Sequence, residues 1–368
     1  MKKALLLFIT LAFSTFTASG QEPSGPGGPV RLGVVGLVHD HVHWILGRPD
    51  QGDIQLVGIV EPNRELAARY AKQYGFSMEM AYPTIEAMLD ATRPEAVAAF
   101  NSIYGHLEVV EKCAPRGIHV MVEKPLAVSM AHAKRMAALA RQHHIHLLTN
   151  YETTWYGSNH QAYQMIRDGK VGALRKVVVH DGHRGPKEIG VSKEFLDWLT
   201  DPVLNGGGAL TDFGCYGANL ATWLMQGERP LSVTCVTQQH KPDIYPRVDD
   251  EATIVLTYPG MQGIIQASWN WPYNRKDMEC YGQTGYVITQ GRTNLSVLLD
   301  EAEGPFNETA PEPQYEDPFA FLAAVVRGRE KPSPLSLSSL ENNLIVVEIL
   351  EAARKSAKKG RTIKLKPK

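Results

Sequence analysis

Ile118-His119-Val120-Met121-Val122-Glu123-Lys124-Pro125 is the stretch from which the rest of this chain can be read. A short β-branched, apolar run ending in an acid, a base and a proline reads as a buried parallel strand. Open α/β sheets place their ligands at the carboxyl ends of such strands. Pro125 has no N–H for the ladder and keeps Lys124 out of the helical region, so the strand stops with the Lys side chain at its tip. Chemistry is therefore expected at Lys124; the plainer alternative is a solvated lysine at an ordinary strand end.

Upstream, Arg31-Leu32-Gly33-Val34-Val35-Gly36 is a strand running into a glycine turn, and Ile54 to Val60 is a second strand with Glu61 at its tip. This is how a dinucleotide fold opens: glycine lets backbone approach a pyrophosphate at a helix N-terminus, and the acid holds a ribose. Glu61 lies 25 residues beyond Gly36, near the ~20 of that arrangement. The turn departs from G-x-G-x-x-G, with Val38 and His41 at its second and third glycine positions, in the run Gly36-Leu37-Val38-His39-Asp40-His41-Val42-His43. Three histidines and an aspartate so close together invite a metal reading. Successive residues entering one helix point in different directions, however. The reading taken is that His39, Asp40 and His41 meet phosphate in place of the missing glycines, with no metal.

Ala96 to Phe100 is the next strand and leads to Asn101, Ser102 and His106; Leu107, Val109, Val110 and Ala114 give the following helix an apolar face. Past Pro125, Ser129 caps a helix with Met130, Ala133, Met136, Ala137 and Ala140 on one side, and Ile145 to Thr149 is a further strand. Strand and helix alternate up to about Asn150, which predicts a doubly wound parallel sheet. Beyond it, strand-like runs at 176–180, 231–236, 252–258, 263–269, 277–281 and 285–290 are separated by turns, which predicts a largely antiparallel open sheet. One helix interrupts them after Gly206-Gly207-Gly208. Begun near Thr211, it puts Asp212, Tyr216 and Asn219 at i, i+4 and i+7 on one face. Phe319 to Val326 and Leu340 to Ala357 read as closing helices, and Thr362 to Leu365 as a last strand.

The fold class is thus α/β: a Rossmann domain over 30–150 and a C-terminal α+β domain over 151–368 for substrate binding and oligomerisation. At 368 residues two domains are the default, and 43% hydrophobic with 21% charged residues describes an ordinary globular chain. Lys2-Lys3, the apolar run Ala4 to Phe13 and Ala18-Ser19-Gly20 form the three regions of a secretory signal peptide, cut after Gly20. The Pro- and Gly-rich stretch 21–29 is a flexible arm, and the expected location is periplasmic or secreted. The apolar run is far short of a membrane span. Removal of two lysines and no acid takes the net charge from −1 to near −3, so nucleic acid is not an implied partner. Cys113, Cys215, Cys235 and Cys280 form no C-x-x-C; Cys235 and Cys280, both in strand-like runs, are the pair to expect if a disulfide forms, with buried free thiols the commoner outcome.

With Glu123-Lys124-Pro125 after a glycine-turn strand pair, and the Gly206 to Asn219 motif some eighty residues later, the chain resembles the Gfo/Idh/MocA family of oxidoreductases over nearly its whole length. The resemblance implies that Lys124 sits beside the nicotinamide and the substrate hydroxyl, assisted by Asp212 and by Tyr216, which replaces the commoner His as in the glucose–fructose oxidoreductase branch. Asn219 stands where many members have Asp, and Ser102 where a Pro usually precedes the His aligned with His106. The implied cofactor contacts are Gly36, Val38, His39, Asp40, His41, Glu61, Asn101, Ser102, His106, Glu123 and Lys124. Tyr151, Trp155, His183 and Asn219 are the expected substrate contacts.

The function expected is a secreted NAD(P)-dependent oxidoreductase acting on a sugar or polyol CH–OH group. Hydride transfer from a C–H requires the neighbouring O–H proton to leave, with Tyr216 as base, Lys124 lowering its pKa and Asp212 fixing the lysine. Glu61 favours NAD, and Arg64 keeps NADP possible. Two alternatives stay open: an NAD-recycling, glycoside-cleaving enzyme of the same fold, and a carbohydrate-binding protein that has lost its cofactor. A homo-oligomer joined through the open sheet is implied by the resemblance.

Overall fold

A computed structural model describes residues 27–315 and 317–365. The predicted signal peptide lies outside them, as does most of the predicted arm; Gly28 and Pro29, from its end, accept hydrogen bonds through their carbonyls from the Arg327 guanidinium at 2.9 Å each.

The first half of the chain alternates as expected: β1 (Val30–Val35), α1 (Val42–Leu46), β2 (Ile54–Val60), α2 (Arg64–Tyr74), β3 (Ala81–Tyr82), α3 (Ile85–Thr92), β4 (Ala96–Ala99), α4 (His106–Cys113), β5 (His119–Glu123), α5 (Met130–Gln142) and β6 (Leu147–Asn150). The six strands form one parallel sheet in the order β3-β2-β1-β4-β5-β6. Strands buried on both faces account for the continuous apolar runs: Val97, Val120 and Val122 pack with α4 and α5 on one side, while Leu32, Val34 and Ala98 pack on the other. The chain order reverses between β1 and β4, and the crevice outside the carboxyl ends of a doubly wound sheet opens at such a point. Ser129 caps α5 as predicted, its Oγ accepting from the His132 N–H at 3.3 Å.

The second half comprises α6 (Gly157–Arg167), β7 (Lys176–Gly182), α7 (Pro186–Ile189), α8 (Lys193–Leu199), α9 (Ala209–Asp212), α10 (Gly214–Leu224), β8 (Ser232–Gln238), β9 (Glu251–Thr257), β10 (Gln262–Ser268), β11 (Arg275–Tyr281), β12 (Tyr286–Gln290), β13 (Asn294–Leu298), β14 (Phe306–Thr309), α11 (Pro318–Val326), α12 (Leu340–Lys359) and β15 (Ile363–Lys364). Nine strands make a sheet ordered β14-β13-β12-β11-β7-β10-β9-β8-β15. Only the β7–β10 pair in it is parallel.

Two expectations are corrected. The helix after the glycine run is not continuous: α9 stops at Asp212, Phe213 breaks it, and α10 starts at Gly214. The closing helices do not belong to the second domain alone, because Phe319, Leu322, Ala323 and Val325 of α11 pack in the same core as Leu32 and Phe100, and Leu340 and Val347 of α12 join that of α4 and α5. The four cysteines are free and buried, the commoner of the two outcomes expected; three strands separate β8, which carries Cys235, from β11, which carries Cys280.

Candidate active site

The tip of β5 meets α9 and α10 at the bottom of a cavity of about 1020 Å³, lined from the first half by His39, Asp40, His41 and Lys124 and from the second by Glu152, His183, Asp212, Tyr216 and Lys276. Lys124 and Asp212 form an ion pair in which both side chains are about 6% exposed. The Lys124 ammonium also donates to the Asp212 carbonyl at 3.2 Å, and the second carboxylate oxygen accepts from Trp269 Nε1 at 3.0 Å. Burial by itself would pull the ammonium down and push the carboxyl up. Their mutual attraction outweighs both effects, so Lys124 is raised, Asp212 lowered, and both are charged. The glycine run that delivers Asp212 is a packing requirement: a Cβ on Gly208 would sit 1.8 Å from the Asp249 carbonyl oxygen. The Asp249 carboxylate in turn accepts from the N–H groups of Gly208 and Leu210 at 3.0 and 2.7 Å.

Tyr216 stands on the first turns of α10 with Lys124 Nζ 5.1 Å and Lys276 Nζ 4.9 Å from its ring centre. Its phenol is nevertheless pushed well above the usual tyrosine range, by burial first and then by the Asp181 and Glu152 carboxylates. The expectation that Lys124 leaves it with a lowered pKa is therefore corrected. Tyr216 is a neutral O–H with two ammonium groups against its ring.

Lys276, Asp181 and Glu152 were not singled out from sequence. Lys276 on β11 lies opposite Asp181 on β7 and is ion-paired with Glu152, which also accepts from the Tyr156 hydroxyl at 2.6 Å. Burial would raise Glu152, but the Lys276 charge and hydrogen bond bring it down to about 2. Asp181 has a buried Oδ1 without a partner in the protein, and burial raises its carboxyl well above the usual range despite Lys276. The signal was strand alternation: Lys276 continues the inward face of Met278 and Cys280, and Asp181 that of Val177 and Val179.

His183 lines the cavity as expected. Its Nδ1 accepts the Gly185 N–H at 2.9 Å, and burial, together with Lys276 and Lys124, lowers it to about 4, so it is a neutral ring with its proton on Nε2. The remaining expected substrate contacts lie elsewhere. Tyr151 is fully buried behind Tyr216, edge-on at 5.4 Å. Asn219, on the next turn of α10, points into the core, where its Nδ2 donates to the Leu337 carbonyl at 2.8 Å. Trp155 lines a separate cavity.

Behind Lys124, Glu123 accepts from Asn150 Nδ2 at 2.8 Å and meets His41 Nδ1 at 2.9 Å. Burial would raise this carboxyl, and His41, His39 and Asn150 outweigh it, bringing it down to about 2. His39, His41 and Glu123 hold potential ligand atoms within 4.8 Å of one another. A ligating histidine donates its other N–H, whereas His39 Nδ1 accepts the His41 N–H at 3.1 Å. Its proton is therefore on the nitrogen that faces Glu123, 3.9 Å away and without a hydrogen-bond partner in the protein, and the contact of this cluster with the carboxylate is that of His41.

A second cavity of about 630 Å³ runs along the tips of β1, β2 and β4 and includes Gly36, Val38, Glu61, Asn101 and Ser102. It fits the adenosine half of a dinucleotide. Gly36 has φ +86° and a Cβ there would lie 2.8 Å from the Asn101 nitrogen, and Asn101 Oδ1 is buried with no partner in the protein. Glu61 accepts from the N–H groups of Leu37 and Asn63 at 3.0 and 2.9 Å. His106 belongs to neither cavity; it is fully buried with Nδ1 3.2 Å from the Leu126 carbonyl, supporting the loop after Lys124. Between the two cavities the turn is covered by the second half of the chain: Asp40 accepts from the Ser192 N–H, and the Val38 carbonyl from Trp198 Nε1, both at 3.0 Å.

A Rossmann sheet joined to an open-sheet domain, with a buried lysine and a tyrosine converging on the strand tips, defines a two-domain dinucleotide-dependent oxidoreductase architecture. Residues 30–151 match the family model described as oxidoreductase family, NAD-binding Rossmann fold, and residues 159–288 that of the GFO/IDH/MocA C-terminal domain. The chain belongs to the Gfo/Idh/MocA family of oxidoreductases. It is 26% identical over 220 residues to trans-1,2-dihydrobenzene-1,2-diol dehydrogenase of Xenopus tropicalis, a match covering 59% of this chain and 61% of that enzyme. It is 30% identical over 195 residues to dTDP-3,4-didehydro-2,6-dideoxy-α-D-glucose 3-reductase of Streptomyces antibioticus, covering 52% and 55%. The chain thus spans under two thirds of the length of these relatives. Among solved structures, aldose-aldose oxidoreductase of Caulobacter crescentus with glycerol aligns at TM-score 0.75 and 24% identity over 92% of this chain and 100% of that one. An inositol dehydrogenase homolog of Azotobacter vinelandii with NAD+ aligns at 0.77 and 18%, over 92% and 98%.

Proposed function

We propose that this chain is an NAD-dependent oxidoreductase that interconverts a secondary alcohol and a carbonyl on a sugar or polyol. The observation that carries the reading is the Lys124–Asp212 pair beneath the Tyr216 ring, where both halves of the chain reach one cavity. Relatives named for a cyclic diol and a deoxysugar support the substrate class.

Gly36, Glu61, Asn101 and Ser102 would hold the adenosine half of the dinucleotide and Lys124 would border its nicotinamide; when bound, the group supplies two-electron redox chemistry at the substrate carbon. The protein's own part is to hold and move the proton. In the reducing direction the neutral Tyr216 hydroxyl is the loaded donor to the forming alkoxide, and the Lys124 ammonium, kept in place by Asp212, stabilises that anion and then the resulting phenolate. In the oxidising direction Tyr216 must ionise first, so the rate rises with pH. His183, with its proton on Nε2, orients the substrate oxygen as a donor and is not the base. The acids Glu61, Glu86, Glu108, Glu194 and Asp197 line the adenosine cavity and oppose a 2′-phosphate, while Arg64 is turned toward the Ala81 carbonyl at 3.4 Å. NAD is therefore favoured over NADP.

The test is Tyr216→Phe, assayed with NAD against a panel of aldoses and inositols. Turnover should fall by a factor of ~10² to 10⁴ with nucleotide binding intact; full activity would remove Tyr216 from the mechanism. A second reading, glycoside cleavage with the nucleotide retained between turnovers, is favoured by the covered turn between the cavities. Stoichiometric nucleotide release during turnover would eliminate it.

Export is proposed from Lys2-Lys3, the apolar run and Ala18-Ser19-Gly20, and is checked by the N-terminal sequence of the protein recovered from a periplasmic fraction. No helix among the described residues is long and apolar enough to cross a membrane. Self-association through the face of the nine-stranded sheet opposite α10 and α12 is proposed on the resemblance, with light scattering as its measurement.

A further inference from the structure

The geometry points to a second ligand site, separate from the reaction cavity, for one neutral hydroxylated ring of monosaccharide size. Residues 152–156 form a partition: Glu152 and Tyr156 line the reaction cavity, while Thr154 and Trp155 turn the other way into a cavity of about 350 Å³, at the small end of ligand sites. Trp155, Trp223, Tyr315 and Phe321 form its walls, with Trp155 and Tyr315 both 5.5 Å from the Phe321 ring centre.

Two observations give the occupant its chemistry. Thr154 Oγ1, Ser336 Oγ and Ser338 Oγ, all in residues lining this one cavity, are buried and have no hydrogen-bond partner in the protein; Thr154 and Ser338 are 7% and 1% exposed. Buried polar atoms are almost always paired, so three such hydroxyls at one aromatic cavity call for hydroxyls from outside. The second observation is charge. No lysine or arginine is among the described residues lining it, Glu330 supplies its carboxylate, and burial lowers His160 toward the neutral ring. A sugar phosphate or sugar acid is excluded, and a ring with an apolar C–H face and several O–H groups satisfies walls and hydroxyls together. Water alone would satisfy the hydroxyls and leave the aromatic walls unmatched.

Trp155 is unsuited to a test by substitution, because its Nε1 donates to Asn150 Oδ1 at 3.0 Å and Asn150 holds Glu123. The test follows the Trp223 indole N–H by NMR in the whole protein, since Trp223 does not border the reaction cavity. D-glucose, methyl α-D-glucopyranoside and myo-inositol are titrated in turn. At least one is expected to shift the signal saturably. Thr154→Val with Ser338→Val should weaken that binding by about tenfold, the loss of two hydrogen bonds, and Glu330→Gln, at the partly exposed mouth, should weaken it about threefold without touching the interior. A Trp223 signal unmoved by all three compounds overturns the proposal. So does a shift that survives both sets of substitutions with unchanged affinity.

Discussion

Asp212→Asn keeps the shape of the side chain and removes the charge that holds Lys124. Both members of the pair are about 6% exposed, so water cannot take over from the lost carboxylate. Breaking a buried pair on one side costs about 3–5 kcal/mol, a fifth or more of a typical domain's ~5–15. The alternative open to the variant is to release the lysine proton. A fall of about three pH units from the ordinary ~10.4 costs about 4 kcal/mol, the same size, so Lys124 in the variant should be neutral in the folded state not far above neutral pH. The sign is then fixed. In the wild type the folded pKa of Lys124 is raised, so its contribution is fully present below the ordinary lysine value and lost only as pH rises through the folded one. In the variant the folded pKa lies below the unfolded one, the unfolded chain binds more protons, and stability recovers as pH rises toward about 10. Urea unfolding of both proteins at intervals between pH 7 and 10 should show a deficit of about 3–5 kcal/mol at the low end that shrinks by up to about 1.4 kcal/mol per unit. A deficit under about 0.5 kcal/mol at pH 7, or one that does not change with pH, would refute the buried pair as the organising interaction of the site.

Gly36→Ala should cost about 1–3 kcal/mol for the φ of +86° alone, and its Cβ, 2.8 Å from the Asn101 nitrogen, should lower NAD affinity at least tenfold by calorimetry. Glu61→Ala removes the acid at the tip of β2 that is proposed to meet the ribose and should narrow the preference for NAD over NADP by about tenfold, through weaker NAD and stronger NADP binding; an unchanged ratio would assign discrimination to the other acids of that cavity. Lys276→Met strips Glu152 of the cation that brings it down to about 2. A carboxyl with a lowered folded pKa contributes stability above its ordinary value that is lost as pH falls, so the variant should lose stability at neutral pH and show a flatter acid limb between about pH 4 and 2.

The tip of the organising strand was legible because several constraints coincide there: an apolar run, a proline that ends it and a lysine with nowhere else to go. The glycine run was legible for a similar reason, since Gly208 is pressed against Asp249 and tolerates no Cβ. What failed was helical arithmetic across a break. Asp212 and Tyr216 both reach the cavity, but through two helices separated at Phe213, and the i+7 position that should have carried Asn219 to the same place carries it into the core. Trp155 failed because within residues 152–156 Glu152 and Tyr156 face one cavity and Thr154 and Trp155 the other, which no period describes. Lys276 and Asp181 were readable in principle from charged residues on the inward face of otherwise apolar strands. Their partnership was not, because β7 and β11 lie almost a hundred residues apart and pairing register is a property of the folded sheet. The return of α11 to the first core was invisible for the same reason.

The missing glycines of the dinucleotide turn look like a defect only while the first domain is considered alone. The second glycine of such a turn exists to let backbone approach a pyrophosphate, and here that position is Val38, whose carbonyl is bound by Trp198. The next residue, His39, is 1% exposed and lies 4.5 Å from the Phe195 ring and 5.6 Å from that of Trp198. Asp40 then holds the N–H of Ser192, at the N-cap of α8. Three consecutive turn residues are therefore committed to the segment that leads into and includes α8; a glycine at the third position of the motif would give up the His41 ring that meets Glu123. The same turn hands His41 to Glu123, so the tip of β5, the start of α1 and α8 are joined through one six-residue loop. The third glycine position thus trades close helix–strand packing for a side chain that ties the turn to the tip of β5, while the residues between the two positions tie it to α8.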